Sequence, residues 1–244
     1  MKSMEIQTGN SQPDPISKVG SKARPRLGVG HLLLWIVCCC VYLAVVRELR
    51  EQSPSALGVF LIIVATAIDG TALAGLLLFL YRRFVGSSLA PEPGEWLLAI
   101  MGARLTLHLL LQTWLEPVFS TPAAVLAGAT CALLVLPTLD RQLSENWKIL
   151  FVLLVVVYLL PMIDVGWSIF GIPPRGLSQI AQWLNLSRPG IVAGLVLAFS
   201  IEDQRRTRRI YRGIPTMPSW SWLHWLGVAN CLATVASAFL LGRV

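Results

Sequence analysis

The chain reads as an all-α, polytopic transmembrane helix bundle of about seven spans, with its N-terminus inside and its C-terminus outside. Three observations predict this. Only 14% of the 244 residues are charged and 55% are hydrophobic, against roughly 25% charged in a soluble domain. The deficit is concentrated in runs of about 16 to 26 residues almost free of charge, the length needed to cross a hydrocarbon core of ~30 Å. Finally, fourteen of the twenty Lys and Arg residues fall on one set of alternating connecting segments and five on the other, with Arg104 inside a span. Cytoplasmic segments carry that kind of excess.

Residues 1–27 are polar, hold Pro13, Pro15 and Pro25, and have almost no large apolar side chains. They are predicted to be a disordered cytoplasmic tail, basic at Lys18, Lys22, Arg24 and Arg26. The spans are predicted at about 28–46, 56–81, 95–115, 123–139, 147–164, 190–201 and 220–241. Arg47, Glu48, Arg50 and Glu51 separate the first two, and Arg82-Arg83 stops the second. A Pro91-Glu92-Pro93-Gly94 loop opens the third, and Pro117 and Pro122 turn the chain into the fourth. Leu177, Ile180, Ala181 and Leu184 recur at helical spacing opposite Ser178, Gln179, Gln182 and Asn185. Residues 177–187 are therefore expected as an interfacial helix before a short sixth span; the alternative is one helix running through Pro189. Trp96 with Trp114, Trp147 with Trp167, and the group Trp220, Trp222 and Trp225 sit where interfacial anchors belong.

Apolar area does not drive helix association in lipid, so close backbone approach is expected to. Small residues recur every fourth position at Gly190, Gly194 and Ala198, at Ala124, Gly128 and Ala132, at Ala229, Ala233 and Ser237, and at Ala67, Thr71 and Gly75. These stripes are expected contacts of one bundle, and Gly194→Leu is expected to destabilise it.

The candidate intramembrane polar network is Asp69, Arg104, His108 and Gln112. The last three are spaced i, i+4, i+8 and share one face of the third span. Asp69 lies near the middle of the second span, at matching depth if the two spans are antiparallel neighbours. A charge at the bilayer centre costs about 2.5–3.5 kcal/mol, so pairing or water is expected there. Two readings follow: an ion pair that locks helix register, or a proton or ion path in which Asp69 and His108 titrate.

Arg205, Arg206, Arg208, Arg209 and Arg212 are expected to contact anionic lipid headgroups at the cytoplasmic face. The charge of +7 lies in segments flanking apolar runs, so nucleic acid is not an expected partner. Asp164 and Glu202 fall at span ends as solvated groups. Cys38, Cys39, Cys40, Cys131 and Cys231 lie in apolar runs without C-x-x-C spacing and read as small hydrophobes. No zinc, nucleophile-elbow or phosphate-loop motif is present. No catalytic residue, metal or cofactor is therefore expected. Asn185-Leu186-Ser187 fits a glycosylation acceptor.

The stretch Arg24-Pro25-Arg26-Leu27-Gly28-Val29-Gly30-His31-Leu32-Leu33-Leu34-Trp35 resembles the start of uncharacterised multi-pass membrane proteins of planctomycete bacteria. There a basic, Gly-containing stretch leads into a His-Leu-Leu-Leu-Trp span. The resemblance implies a bacterial inner membrane and carries no activity or site residues. The expected function is a structural or interaction role. The alternative is a small proton- or ion-coupled transporter or channel using the Asp69/Arg104/His108 face. An enzyme ranks third, for want of a nucleophile–base set.

Overall fold

The computed structural model describes residues 28–48, 56–85, 91–112, 122–169, 177–210 and 221–240. The expected tail, Trp114, Trp220 and Arg212 lie outside them. So do the side chains of residues 161–188, Asp164 and Trp167 included, and that of Arg208. The described residues form seven α-helices and no strand: α1 (Val29–Glu48), α2 (Ala56–Phe84), α3 (Pro93–Leu110), α4 (Pro122–Val135), α5 (Glu145–Ile169), α6 (Leu177–Ile210) and α7 (Trp222–Leu240). A 3₁₀ turn, Leu136–Leu139, extends α4.

Helix starts follow local chemistry. Pro93 occupies the first turn of α3, where its missing N–H costs nothing. The backbone N–H of the cap residue Glu92 donates to Glu95 Oε2 at 3.4 Å. Ser221 caps α7: its Oγ accepts from the backbone N–H of His224 at 3.4 Å. Inside the helices, the hydroxyls of Thr66, Thr71, Thr106, Thr130, Ser200 and Thr234 each donate to the carbonyl four residues back, at 2.6–2.9 Å. That arrangement satisfies a hydroxyl without water.

α2 and α3 form an antiparallel hairpin with a legible register. Arg82 pairs with Glu95 at its turn end. One step along, Gly75 lies against Leu98, and Gly102 lies against Ala72 and Leu76. Beyond that, Asp69 faces the stretch from Arg104 to His108 across a shared cavity. A Cβ at Gly75 or Gly102 would overlap the partner helix, so glycine sets the closeness of this pair. α1 lies along α2, with Gly70 against Cys39 and the Trp35 indole donating to Thr71 Oγ1 at 2.9 Å.

The packed centre is α5. Trp147, Leu150, Phe151 and Leu154, spaced i, i+3, i+4, i+7, are all buried. They meet Leu97 and Ile100 of α3, Leu134 of α4, Val192 and Val196 of α6, and Val228 and Cys231 of α7. Outward faces remain apolar: Leu32, Leu33, Ile36 and Val37 of α1, Phe60 and Ile63 of α2, and Ile149, Val152 and Val156 of α5 are exposed.

One helix among the described residues, over Gly58–Phe84, is long and apolar enough to cross a membrane. Val29–Val45, Val125–Leu139 and Trp222–Ala236 are shorter apolar helices.

Several expectations are corrected. Residues 177–187 are not a separate interfacial helix; α6 runs unbroken from Leu177 to Ile210 with Pro189 inside it. Trp147 is not an interfacial anchor but fully buried, 0% exposed, because it lies on the face of α5 that four other helices cover. The Gly190/Gly194/Ala198 stripe points outward, and a Cβ at Gly194 would meet nothing within 4 Å. Spacing alone marks a face; it does not say which way the face points. Among the cysteines, Cys38, Cys131 and Cys231 are buried, Cys39 is half-buried and Cys40 is exposed; none is in a disulfide.

Candidate functional site

Two polar regions lie in this bundle, one expected and one not. The expected one is a cavity of about 110 Å³ lined by Asp69, Ala72, Met101, Arg104, Leu105, His108, Leu126 and Thr234. Helices α2, α3, α4 and α7 therefore line it, and it is partly open to the surface. Asp69 and Arg104 are half-buried, and His108 is exposed. The Arg104 guanidinium lies 5.9 Å from the centre of the Tyr158 ring on α5, a cation–π contact that holds it at the bundle interior. Three of the four expected residues share this space. Gln112, half-buried at the end of the described α3 segment, is not among the lining residues. Its lining is mixed, with Ala72, Met101, Leu105 and Leu126 beside the polar side chains, and a cavity of this size has room for several water molecules. Its side chains combine one acid, one permanent cation and one imidazole, a set able to exchange protons and to hold a small ion.

The second region lies where α2 ends and α3 and α7 begin. The Ser221 N–H donates to both Glu92 carboxylate oxygens, at 3.1 and 3.0 Å, and the Ser221 hydroxyl donates to Oε2. The Gly94 N–H donates to Nδ1 of His224 at 3.1 Å. Nδ1 is thus an acceptor, and the neutral ring carries its proton on Nε2. Below this, Gly94 and Gly227 bring the two backbones into contact, and a Cβ on either would overlap the other helix. His224 is 1% exposed. Its ring stands edge-on to Trp147 at 5.5 Å and to Trp225 at 5.3 Å. Glu95, also buried, is paired with Arg82. The Ser221 hydroxyl is directed at a carboxylate and the His224 ring at a backbone amide. The pieces of a nucleophile are present, but they are bound to each other as caps.

Trp147 also reaches the end of α6. Asp203 is buried beside it; burial pushes the Asp203 carboxyl above the ordinary carboxylate range, and Trp147 and Arg206 draw it part of the way back. Arg205, Arg206 and Arg209 are exposed at this end. Arg82, Arg83 and Lys148 share it, so we call it the basic end. The ring contact of His31 with Trp222, at 5.8 Å, brings the start of α1 there as well.

Sequence reading missed Glu92, Ser221, His224 and Asp203. The pattern Ser221-Trp222-Leu223-His224 at a helix start was the available signal for a cap. Its partner lies 129 residues away, and no local spacing reports that. Comparison with known proteins returns no match: no protein family, no curated protein and no solved structure is similar to the chain.

Proposed function

We propose that the chain is a seven-span membrane protein, N-terminus cytoplasmic, and that the Asp69/Arg104/His108 cavity is a hydrated site for proton- or ion-coupled movement of a small solute. The observation that carries this reading is the cavity itself. Asp69, Arg104 and His108 border one space with room for water, which a proton or ion path requires. The membrane part of the reading is supported by exposed apolar faces on α1, α2 and α5 around an interior holding Thr66, Thr130, Ser200 and Asn230. Apolar outward faces around an interior that also holds polar groups suit a bilayer. The hydroxyl bonds to carbonyls one turn back suit it too.

The basic end would face the cytoplasm, with Arg205, Arg206, Arg208, Arg209 and Arg212 on anionic lipid and no nucleic-acid partner. The resemblance of residues 24–35 to planctomycete multi-pass proteins is the reason for proposing a bacterial inner membrane.

The test is reconstitution into liposomes with an entrapped pH dye, under an imposed pH or ion gradient. We expect a proton flux that Asp69→Asn reduces at least tenfold while leaving elution and thermal stability unchanged. A structural role wins if no flux is seen with the native chain, and if Asp69→Asn and Arg104→Gln each lose expression that the double variant restores. A C-terminal reporter active in the cytoplasm would overturn the topology.

A further inference from the structure

We infer that the junction of α3 and α7 at the basic end is a gate of the Asp69/Arg104/His108 cavity, and that this structure holds it shut. The inference rests on the hydrated-cavity reading above.

The gate is built on two of the helices that line the cavity. Met101, Arg104, Leu105 and His108 come from α3, and Thr234 from α7. At the basic end the same two helices are tied by Glu92 to Ser221, by Gly94 to His224, and by the backbone contact of Gly94 with Gly227. Between this tie and the cavity the path is dry. Leu97, Leu98, Ile100 and Val228 are buried there.

The floor of the cavity is Met101. Beneath it lies Asn230, 5% exposed, whose amide donates to the Met101 sulfur at 4.0 Å. A thioether is a weak acceptor, so an amide placed there gains hydration when α3 and α7 part. Away from the basic end, the cavity residue His108 is exposed. Access from the basic end therefore requires the two helices to separate.

The contacts holding them suit that role. They are hydrogen bonds between side chains and backbone at two helix starts, plus a smooth glycine-on-glycine contact. At the helix starts, parting exchanges these hydrogen bonds for water; opening as far as the cavity also moves Leu97, Ile100 and Val228 out of the core around α5.

Thiol accessibility tests this. Exposed Cys40 is replaced by Ser, and single cysteines are placed as His108→Cys and Asn230→Cys. A membrane-impermeant maleimide is then added to sealed vesicles from the basic-end face or from the opposite face. With the native gate we expect His108→Cys to react only from the opposite face, and Asn230→Cys from neither. Adding Glu92→Gln and Ser221→Ala should raise labelling of Asn230→Cys from the basic-end face at least tenfold. If His108→Cys is inert from both faces, the hydrated-cavity reading fails. If it reacts from the basic-end face with the native gate, only the closed gate fails.

A second pair guards against misfolding of the opened variant. Glu92→Cys with Ser221→Cys, oxidised to a disulfide, should block flux, and reduction should restore it. Flux unchanged by the disulfide overturns the gate, as does a folded Glu92→Gln/Ser221→Ala variant whose Asn230→Cys stays unlabelled.

Discussion

The cavity and the α3–α7 junction hold similar chemistry under opposite conditions. Each has a carboxylate, a histidine and a hydroxyl. At the junction Ser221 donates to Glu92 and the Gly94 N–H donates to His224, which is buried. In the cavity Asp69, Arg104 and His108 stand around open volume, and His108 is exposed. Polar groups buried against each other hold helices in place; polar groups that line a partly open space can also be reached by a solute or a proton. The difference lies in the distance between backbones. Gly94 and Gly227 let the helices touch at the junction, whereas the larger side chains of Met101, Leu105 and Leu126 line the cavity.

Substitutions can break that contrast, and the largest effect is expected at the glycine contact. Gly94→Leu or Gly227→Leu puts a side chain into the opposing backbone. Either should cost ~3 kcal/mol or more in detergent stability, read as loss of a monodisperse elution peak. Gly194→Leu, on an open face, should fall within ~0.5 kcal/mol of the native chain. Equal effects at the two sites would remove the distinction between contact glycines and glycines merely in register.

Next in size are Arg82→Ala and Trp147→Ala. Arg82→Ala leaves buried Glu95 without its cation and should cost ~2–3 kcal/mol, discounted because Arg82 keeps some exposure. Glu95→Gln in the same chain should recover most of it in thermal unfolding. Trp147→Ala empties the centre of the bundle. The loss in lipid is mainly the cavity term, since the transfer term is small when the reference is also apolar; ~2 kcal/mol is expected.

The smallest effect is a pH dependence. The Asp203 carboxyl has a folded pKa above its ordinary value, so its protonated form is favoured in the folded state. Its contribution is therefore fully present at low pH and is lost as pH rises through the folded value. Asp203→Asn should flatten the fall in melting temperature with rising pH above the ordinary carboxylate range. A melting curve with the same pH slope in both proteins would show that Asp203 is solvated.

How much of this was legible beforehand depended on range. Asp69 and Arg104 were found because a charge in an apolar run is conspicuous and because consecutive helices joined by a short loop pair as neighbours. The continuity of α6 was legible only as an alternative, since Pro173-Pro174 and Pro189 suggested breaks; a proline more than three turns into a long helix leaves the rest of its hydrogen-bond ladder in place. The Gly190/Gly194/Ala198 stripe was conspicuous yet turned outward. Glu92 and Ser221 looked like ordinary loop and cap residues.

Hydrophobic run lengths and charge stops determined by themselves that the chain is all-α and the rough place of most of its helices, α6 apart. These are local matters of backbone hydrogen bonding and transfer free energy. Which helix became the packed centre, which glycines touch, and which polar groups close on one another were decided only in three dimensions. Those outcomes depend on the rotation of each helix about its own axis. In a chain apolar on almost every face, no periodicity in the sequence sets that rotation; the fit of neighbouring helices does.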